Sequence, residues 1–176
     1  MNHKKEPRLL FSRDEITAVV KKLSIEIGRE YRGKCPLLIG VLKGSFIFMA
    51  DLIRSLDFPL EVEFIELSSY GSSRESSGRV RMIKDLTAKV RDRHILVVED
   101  IVDTGITVSF LIDYLKKKKP ASLKLCALAD KSARRKVPLS VDYLGFTVPD
   151  KFIVGYGIDW DEKYRYLPDI CYLEDE

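Results

Sequence analysis

The stretch from Ile95 to Lys119 constrains the fold more than any other. Ile95-Leu96-Val97-Val98 is a continuous apolar run, the pattern of a strand buried on both faces. It ends in two acids, Glu99 and Asp100. Two apolar residues follow, and Asp103-Thr104-Gly105-Ile106-Thr107 then opens a helix reaching about Lys119. A buried strand that turns at once into a helix needs a parallel neighbour on the far side of the crossover. Leu123–Ala129 reads as that neighbour.

The remaining elements agree with an α/β layer. Pro36–Leu42 and Leu60–Leu67 read as strands, Val80–Ile83 as another, and Tyr143–Phe146 and Phe152–Val154 as short extended runs. Ser12 with Glu15 fits a capping box. Behind it Ile16, Val19, Val20, Leu23 and Ile27 form one apolar face of a helix ending near Gly33. Ser45–Leu56 reads as a helix with Phe46, Met49, Ala50 and Ile53 on one side. Residues 1–11 read as a mobile arm. The segment Ser68–Gly78 holds eight Ser or Gly among eleven residues, too polar to pack a core, and is either a surface hairpin linker or a lid. No internal repeat is present. At 176 residues the chain is expected to be a single domain burying roughly 70% of its unfolded surface.

The turn after Val98 carries the chemistry. A helix start aims free N–H groups and the positive end of its dipole at one point. Small and hydroxylated residues there let a phosphate sit on the backbone, with Thr104 and Thr107 adding donors. Glu99 and Asp100 would repel a phosphate beside them, so they suit sugar hydroxyls or a divalent metal. The plainer reading is an acidic N-cap, with Asp103 capping the helix. It accounts for Asp103 but not for three acids in five positions.

Val97-Val98-Glu99-Asp100-Ile101-Val102-Asp103-Thr104-Gly105-Ile106-Thr107 resembles the 5-phosphoribosyl-1-pyrophosphate (PRPP) signature of the type I phosphoribosyltransferases, without departure. The tail is similar to the hood of the hypoxanthine-guanine phosphoribosyltransferases: Lys131, then Val148-Pro149-Asp150-Lys151-Phe152-Ile153-Val154-Gly155-Tyr156-Gly157-Ile158-Asp159-Trp160, then Arg165. Trp160 stands where a Tyr is more usual. The resemblance runs from about Leu38 to Leu173. It implies a type I phosphoribosyltransferase fold: a parallel core sheet flanked by helices (about 36–130), a small hood from the chain ends (about 1–35 and 131–176), and a lid at about 68–85.

The same resemblance implies the roles. Thr104, Gly105, Ile106 and Thr107 would hold the 5′-phosphate, Ile106 through its N–H alone, while Glu99 and Asp100 hold the ribose side. Lys43 and Gly44, in a loop whose peptide is often cis, would hold pyrophosphate together with Arg165. Lys131 would donate to the purine 6-oxygen, Phe152 would stack on the base and Ile153 would offer its backbone. Asp159 would anchor Mg2+, with Glu99 and Asp100 as further metal contacts, and Asp103 would take the proton from purine N7 or stabilise charge there. Ser69 and Tyr70 would close the lid. The implied activity is transfer of the phosphoribosyl group from PRPP to a 6-oxopurine, in a cytoplasmic homodimer or homotetramer. Alone, each residue has a plainer reading. Lys131, near Arg134, Arg135 and Lys136, could belong to a solvated basic face, Phe152 to the core, Asp159 to a turn, and Lys43-Gly44 to an ordinary strand-to-helix turn.

Composition excludes several other classes. Thirty basic against 27 acidic side chains leave +3, too balanced to argue for nucleic-acid binding. No run approaches the roughly 18 apolar residues of a membrane span or the roughly 7–15 of a secretory signal. Cys35, Cys126 and Cys171 match no metal or disulfide pattern and are expected as reduced thiols. His94 is expected to be structural, and Lys116–Lys119 a solvated helix end. The alternatives are a PRPP-sensing regulator that binds nucleic acid and a phosphoribosyltransferase for another base. The first needs a basic face or an added DNA-binding domain; the roughly 37 residues before the matched region leave no room for the latter, and the intact Asp103 and the purine hood also count against it.

Overall fold

The computed structural model describes residues 6–69 and 80–174. Its main sheet has six strands in the order β4-β3-β2-β5-β6-β7: β2 (Leu37–Leu42), β3 (Glu61–Ser69), β4 (Val80–Lys84), β5 (His94–Val102), β6 (Ser122–Asp130) and β7 (Tyr143–Thr147). All neighbours are parallel except β4, which pairs antiparallel with β3. A second sheet of three strands joins β1 (Pro7–Phe11), β9 (Ile170–Leu173) and β8 (Phe152–Val154), antiparallel throughout.

Both faces of the main sheet are covered at its centre, which is why β2 and the Ile95–Val98 part of β5 are continuous apolar runs. Leu38, Leu96 and Val98 pack with helices α1 (Arg13–Tyr31) and α2 (Phe46–Ser55), whereas Leu37, Ile39, Ile95 and Val97 pack on the face covered by α3 (Ile106–Lys117). The chain leaves β2 through α2 toward β3 and leaves β5 through α3 toward β6, in opposite directions. The point between β2 and β5 is therefore a topological switch point, where ligands of open α/β sheets bind at the carboxyl ends of strands.

Local sequence accounts for the helix starts. The capping box of Ser12 and Glu15 is formed on both sides, and Ile16, Val20, Leu23 and Ile27 are buried beneath α1. Three expectations are corrected. Residues 7–11 are a strand held by β9, because Pro7 and Leu9 pair with Leu173 and Cys171 from the other end of the chain. Helix α2 buries Phe48, Met49 and Leu52 instead of the Phe46 face, and Phe46 is 43% exposed. This helix is apolar nearly all round, so spacing alone allows either stripe. Strand β5 does not stop at Val98; its ladder with β6 continues through Glu99, Ile101 and Val102, so the two acids sit inside the strand's last turns. The cysteines are free, with Cys126 and Cys171 buried. His94 Nδ1 lies 2.8 Å from Ser122 Oγ and ties β5 to β6. Among the described residues no helix is long and apolar enough to cross a membrane.

Candidate active site

A cleft of about 250 Å³ opens at the switch point. It is lined by Gly44 from the loop after β2, by Glu99, Asp100 and Asp103 from β5 and its end, and by Thr104, Gly105 and Thr107 from the turn into α3. Seven of the sequence-derived positions thus converge on one depression. Ile106 is the first residue of α3 and does not line it.

The turn has the backbone that an anion needs. Gly105 is the N-cap of α3, at φ 80°, a left-handed conformation that glycine adopts without penalty. It brings no side chain to cap the helix, so the first-turn N–H groups stay uncapped, apart from a long contact of 3.4 Å from Ile106 N–H to Thr104 Oγ1. Helix α1, by contrast, has its start closed by Ser12. Because the cap is Gly105, the plainer reading of Asp103 as N-cap falls away. Below the turn, Arg135 packs its guanidinium against Gly105 and pairs with the buried Asp130.

The acids beside the turn are held at unfavourable ionisation. Burial and the neighbouring Asp100 push the Glu99 carboxyl well above the usual range. Burial raises Asp100 to about 6, opposed by the Ile101 N–H on its Oδ1 and by the charge of Arg165. Among the described residues neither makes an ion pair. A side chain on Gly44 would fall inside the Asp100 carboxylate, so only glycine lets the loop approach. The Leu42–Lys43 peptide in this loop is cis.

At the rim, Asp103 Oδ1 is buried without a hydrogen bond. Lys131 Nζ lies 3.9 Å from Asp103 Oδ2, and Arg134 Nε 3.5 Å from Oδ1 and 3.7 Å from Asp150 Oδ1. Lys131 is 4% exposed, which sets aside the solvated basic face. Burial lowers its pKa, against the opposing pull of Asp103. Among the described residues this buried ammonium has no hydrogen-bonded acceptor, so it is poised to donate to one.

The hood contributes the rest. Gly157 packs so tightly on the Lys43-Gly44 loop that an added Cβ would lie 2.6 Å from Gly44 O. Arg165 donates to Gly157 O at 2.8 Å and pairs with Asp159 at 2.8 Å. Phe152 is 37% exposed, so it is not core, and Ile153 beside it is buried and pairs with Tyr172 across β8 and β9. Neither lines the cleft itself. Lys43 points outward and pairs with Glu162 at 3.1 Å. Arg165 also reaches Glu162, at 3.2 Å, and the two cations hold its carboxyl below the usual range. Sequence reasoning missed Glu162, Arg134 and Arg135. The position of Glu162 midway between Asp159 and Arg165 was the available signal. Ser69 ends β3, and Tyr70 lies outside the described residues, as does most of the proposed lid.

These features define an α/β protein with an uncapped helix start and a row of carboxylates at the carboxyl edge of a parallel sheet. Comparison with known families is more particular: residues 12–161 match the phosphoribosyl transferase domain, and the chain belongs to that family. It is 48% identical over 167 residues to the hypoxanthine-guanine phosphoribosyltransferase of Bacillus subtilis (strain 168), covering 95% of this chain and 93% of that one. It is 47% identical over 174 residues to the bifunctional protein TilS/HprT of Listeria monocytogenes serotype 4b, covering 99% of this chain. It spans only 27% of that longer protein. A crystal structure of a hypoxanthine-guanine phosphoribosyltransferase from Bacillus anthracis superposes with a TM-score of 0.91 at 45% identity, over 96% of this chain and 100% of that one. A hypoxanthine phosphoribosyltransferase from Staphylococcus aureus gives 0.92 at 38% identity, over 99% and 96%.

Proposed function

We propose that the chain transfers the 5-phosphoribosyl group from PRPP to a 6-oxopurine base, hypoxanthine or guanine, giving the nucleoside 5′-monophosphate and pyrophosphate, a purine-salvage reaction. The observation that carries this is an uncapped helix start and a row of carboxylates lining one cleft, with a buried Lys131 3.9 Å from the rim acid Asp103. The names of the relatives point the same way.

The chemistry follows from the placement. The purine nitrogen bonds to the donor C1 as the bond to pyrophosphate breaks, so positive charge develops at C1 and negative charge on the leaving group. Stabilising both, and positioning the base, is what the protein supplies. The backbone at 104–107 holds the 5′-phosphate. Glu99 and Asp100 face the ribose, and Lys43, Gly44 and Arg165 take the pyrophosphate. Asp103, with one oxygen free of hydrogen bonds, accepts the proton from purine N7 or offsets the charge there. Lys131 donates to the 6-oxygen, and Phe152 offers its exposed ring to the base.

Magnesium fits the donor set. Glu99, Asp100 and Asp159 are hard oxygen donors, and among the described residues neither the buried Glu99 nor the half-buried Asp100 makes an ion pair. Among the described residues no three such groups are placed to hold a metal ion by themselves, so a bound ion would take the rest of its shell from substrate phosphates. When bound, the ion would neutralise the pyrophosphate leaving group. A homodimer or homotetramer and a cytoplasmic setting belong to the same proposal and rest on the resemblance.

The test is pyrophosphate release from PRPP with a panel of bases. Hypoxanthine or guanine should drive release, and adenine and uracil should not. No base-dependent release with any 6-oxopurine would refute the proposal.

A further inference from the structure

Glu162 makes contacts that hood packing does not require. Its carboxylate bridges Lys43 Nζ at 3.1 Å and Arg165 Nη2 at 3.2 Å. Lys43 lies 119 positions away in the chain, so the fold itself brings the three groups together. The glutamate is set on a firm base. Its N–H donates to Asp159 Oδ2 at 2.8 Å, and Asp161 and Glu162 both have left-handed φ, 55° and 57°, uncommon for residues with a Cβ.

Arg165 does not need Glu162 to stay in place. Gly157 O and Asp159 already hold its guanidinium. Lys43, in contrast, has Glu162 as its partner among the described residues. The pair is open to water, with side chains 58% and 66% exposed, so it is not a buried structural lock. A carboxylate presents two anionic oxygens to the same donors that a phosphate group would engage.

We propose that Glu162 is a resident counter-anion of the pyrophosphate subsite: it holds Lys43 and Arg165 in the free enzyme and yields them when pyrophosphate or the pyrophosphoryl end of PRPP binds. This rests on the reading of Lys43 and Arg165 given under Proposed function. Glu162 acts through those two cations and is a positioning residue. Binding then breaks two ion pairs whose shared carboxylate is exposed, each worth a factor of about 1.5–5. The carboxylate thus weakens pyrophosphate binding modestly and favours its departure as product. It leaves the 5′-phosphate site alone, because the turn at 104–107 has no contact with it.

The experiment is titration calorimetry of the full chain with magnesium pyrophosphate, parent against Glu162→Gln, with a nucleoside 5′-monophosphate as control ligand. Glu162→Gln keeps shape and removes charge, and at an exposed position it should fold like the parent. The variant is expected to bind pyrophosphate about threefold to twentyfold more tightly, with the same shift in the product-inhibition constant. Nucleotide affinity should stay within twofold. Equal or weaker pyrophosphate binding by the variant overturns the inference, as does an equal shift for the nucleotide, which would mark general loosening of the hood. If the parent itself binds no pyrophosphate, the assignment of the subsite fails first, and the inference with it.

Discussion

Two carboxylate clusters lie on the same sheet and have opposite energetics. On β3, beside the end of β4, Glu63 accepts from Thr87 Oγ1 at 2.7 Å, from Thr87 N–H and Phe64 N–H at 3.0 Å, and from Lys84 Nζ at 3.1 Å. These donors, Thr87 Oγ1 foremost, hold its pKa down at about 2. In the cleft, burial pushes Glu99 and Asp100 the other way. The first cluster has its donors built in and stabilises the fold. The second has little beyond the Ile101 N–H on Asp100 and the more distant charge of Arg165, and its charge is tolerated where a sugar, a cation or a phosphate group would supply partners. Buried charge without compensation marks a site more reliably than charge count does. Each cluster also has its lysine: Lys84 is hydrogen-bonded and 44% exposed, whereas Lys131 is buried and 3.9 Å from its nearest carboxylate.

The lysines give the largest expected contrast. Lys131 should make the enzyme prefer hypoxanthine over adenine by about 10⁴-fold or more in kcat/KM, since a buried donor facing an amino group is left unpaired. Lys131→Met should collapse that preference, and Lys84→Met should leave it intact. Competition assays with both bases decide this; adenine used as readily as hypoxanthine by the parent would remove Lys131 from base selection.

Next in size is the acid at the rim. Asp103→Asn keeps shape and removes charge and basicity, so kcat should fall about 10²–10⁴-fold while the KM for PRPP changes little. Glu63→Gln should leave kcat near the parent value. Steady-state kinetics of the two variants side by side provide the check, and turnover of Asp103→Asn within threefold of the parent would end its assigned role.

Stability separates the clusters by sign. Glu63 titrates lower in the folded state, about 2 against 4.5, so its stabilisation is complete above pH 4.5 and is lost as the pH falls toward 2. Glu63→Gln should therefore lose about 3 kcal/mol at pH 7, lowering Tm by roughly 6–12 °C. The loss should fade in acid. A melting series from pH 7 to pH 3 would show it, and a pH-independent difference would mean that packing, not charge, is what Glu63 contributes.

The sequence made one of these regions far more legible than the other. The run Val97–Thr107 is local, so its strand, its turn and its convergence on one point could be read from adjacent residues. The capping box of Ser12 and Glu15 is equally local. The strand at Pro7–Phe11 was not legible, because its partner Ile170–Leu173 lies at the far end of the chain and both strands are short. The stripe of α2 was ambiguous because Phe46 and Phe48 lie on different faces of a helix with few polar residues. The bridge of Glu162 joins Lys43 to Arg165 across the fold, and nothing in the spacing of Asp159, Glu162 and Arg165 points to Lys43.

The most direct test of the cleft's energetics is a melting curve of Asp100→Asn against the parent, in chelator, from pH 4 to pH 8. Asp100 titrates at about 6 in the fold against 3.8 unfolded. The folded state therefore keeps its proton longer, and stability declines as the pH rises from about 4 through 6. Removing the charge should stabilise the fold at pH 7.5 by up to about 3 kcal/mol, raising Tm by up to roughly 6–12 °C, with the gain vanishing near pH 4 and transferase activity reduced. A variant that melts below the parent at pH 7.5 would contradict the account: the Asp100 carboxylate would then be part of what holds the fold together, like Glu63.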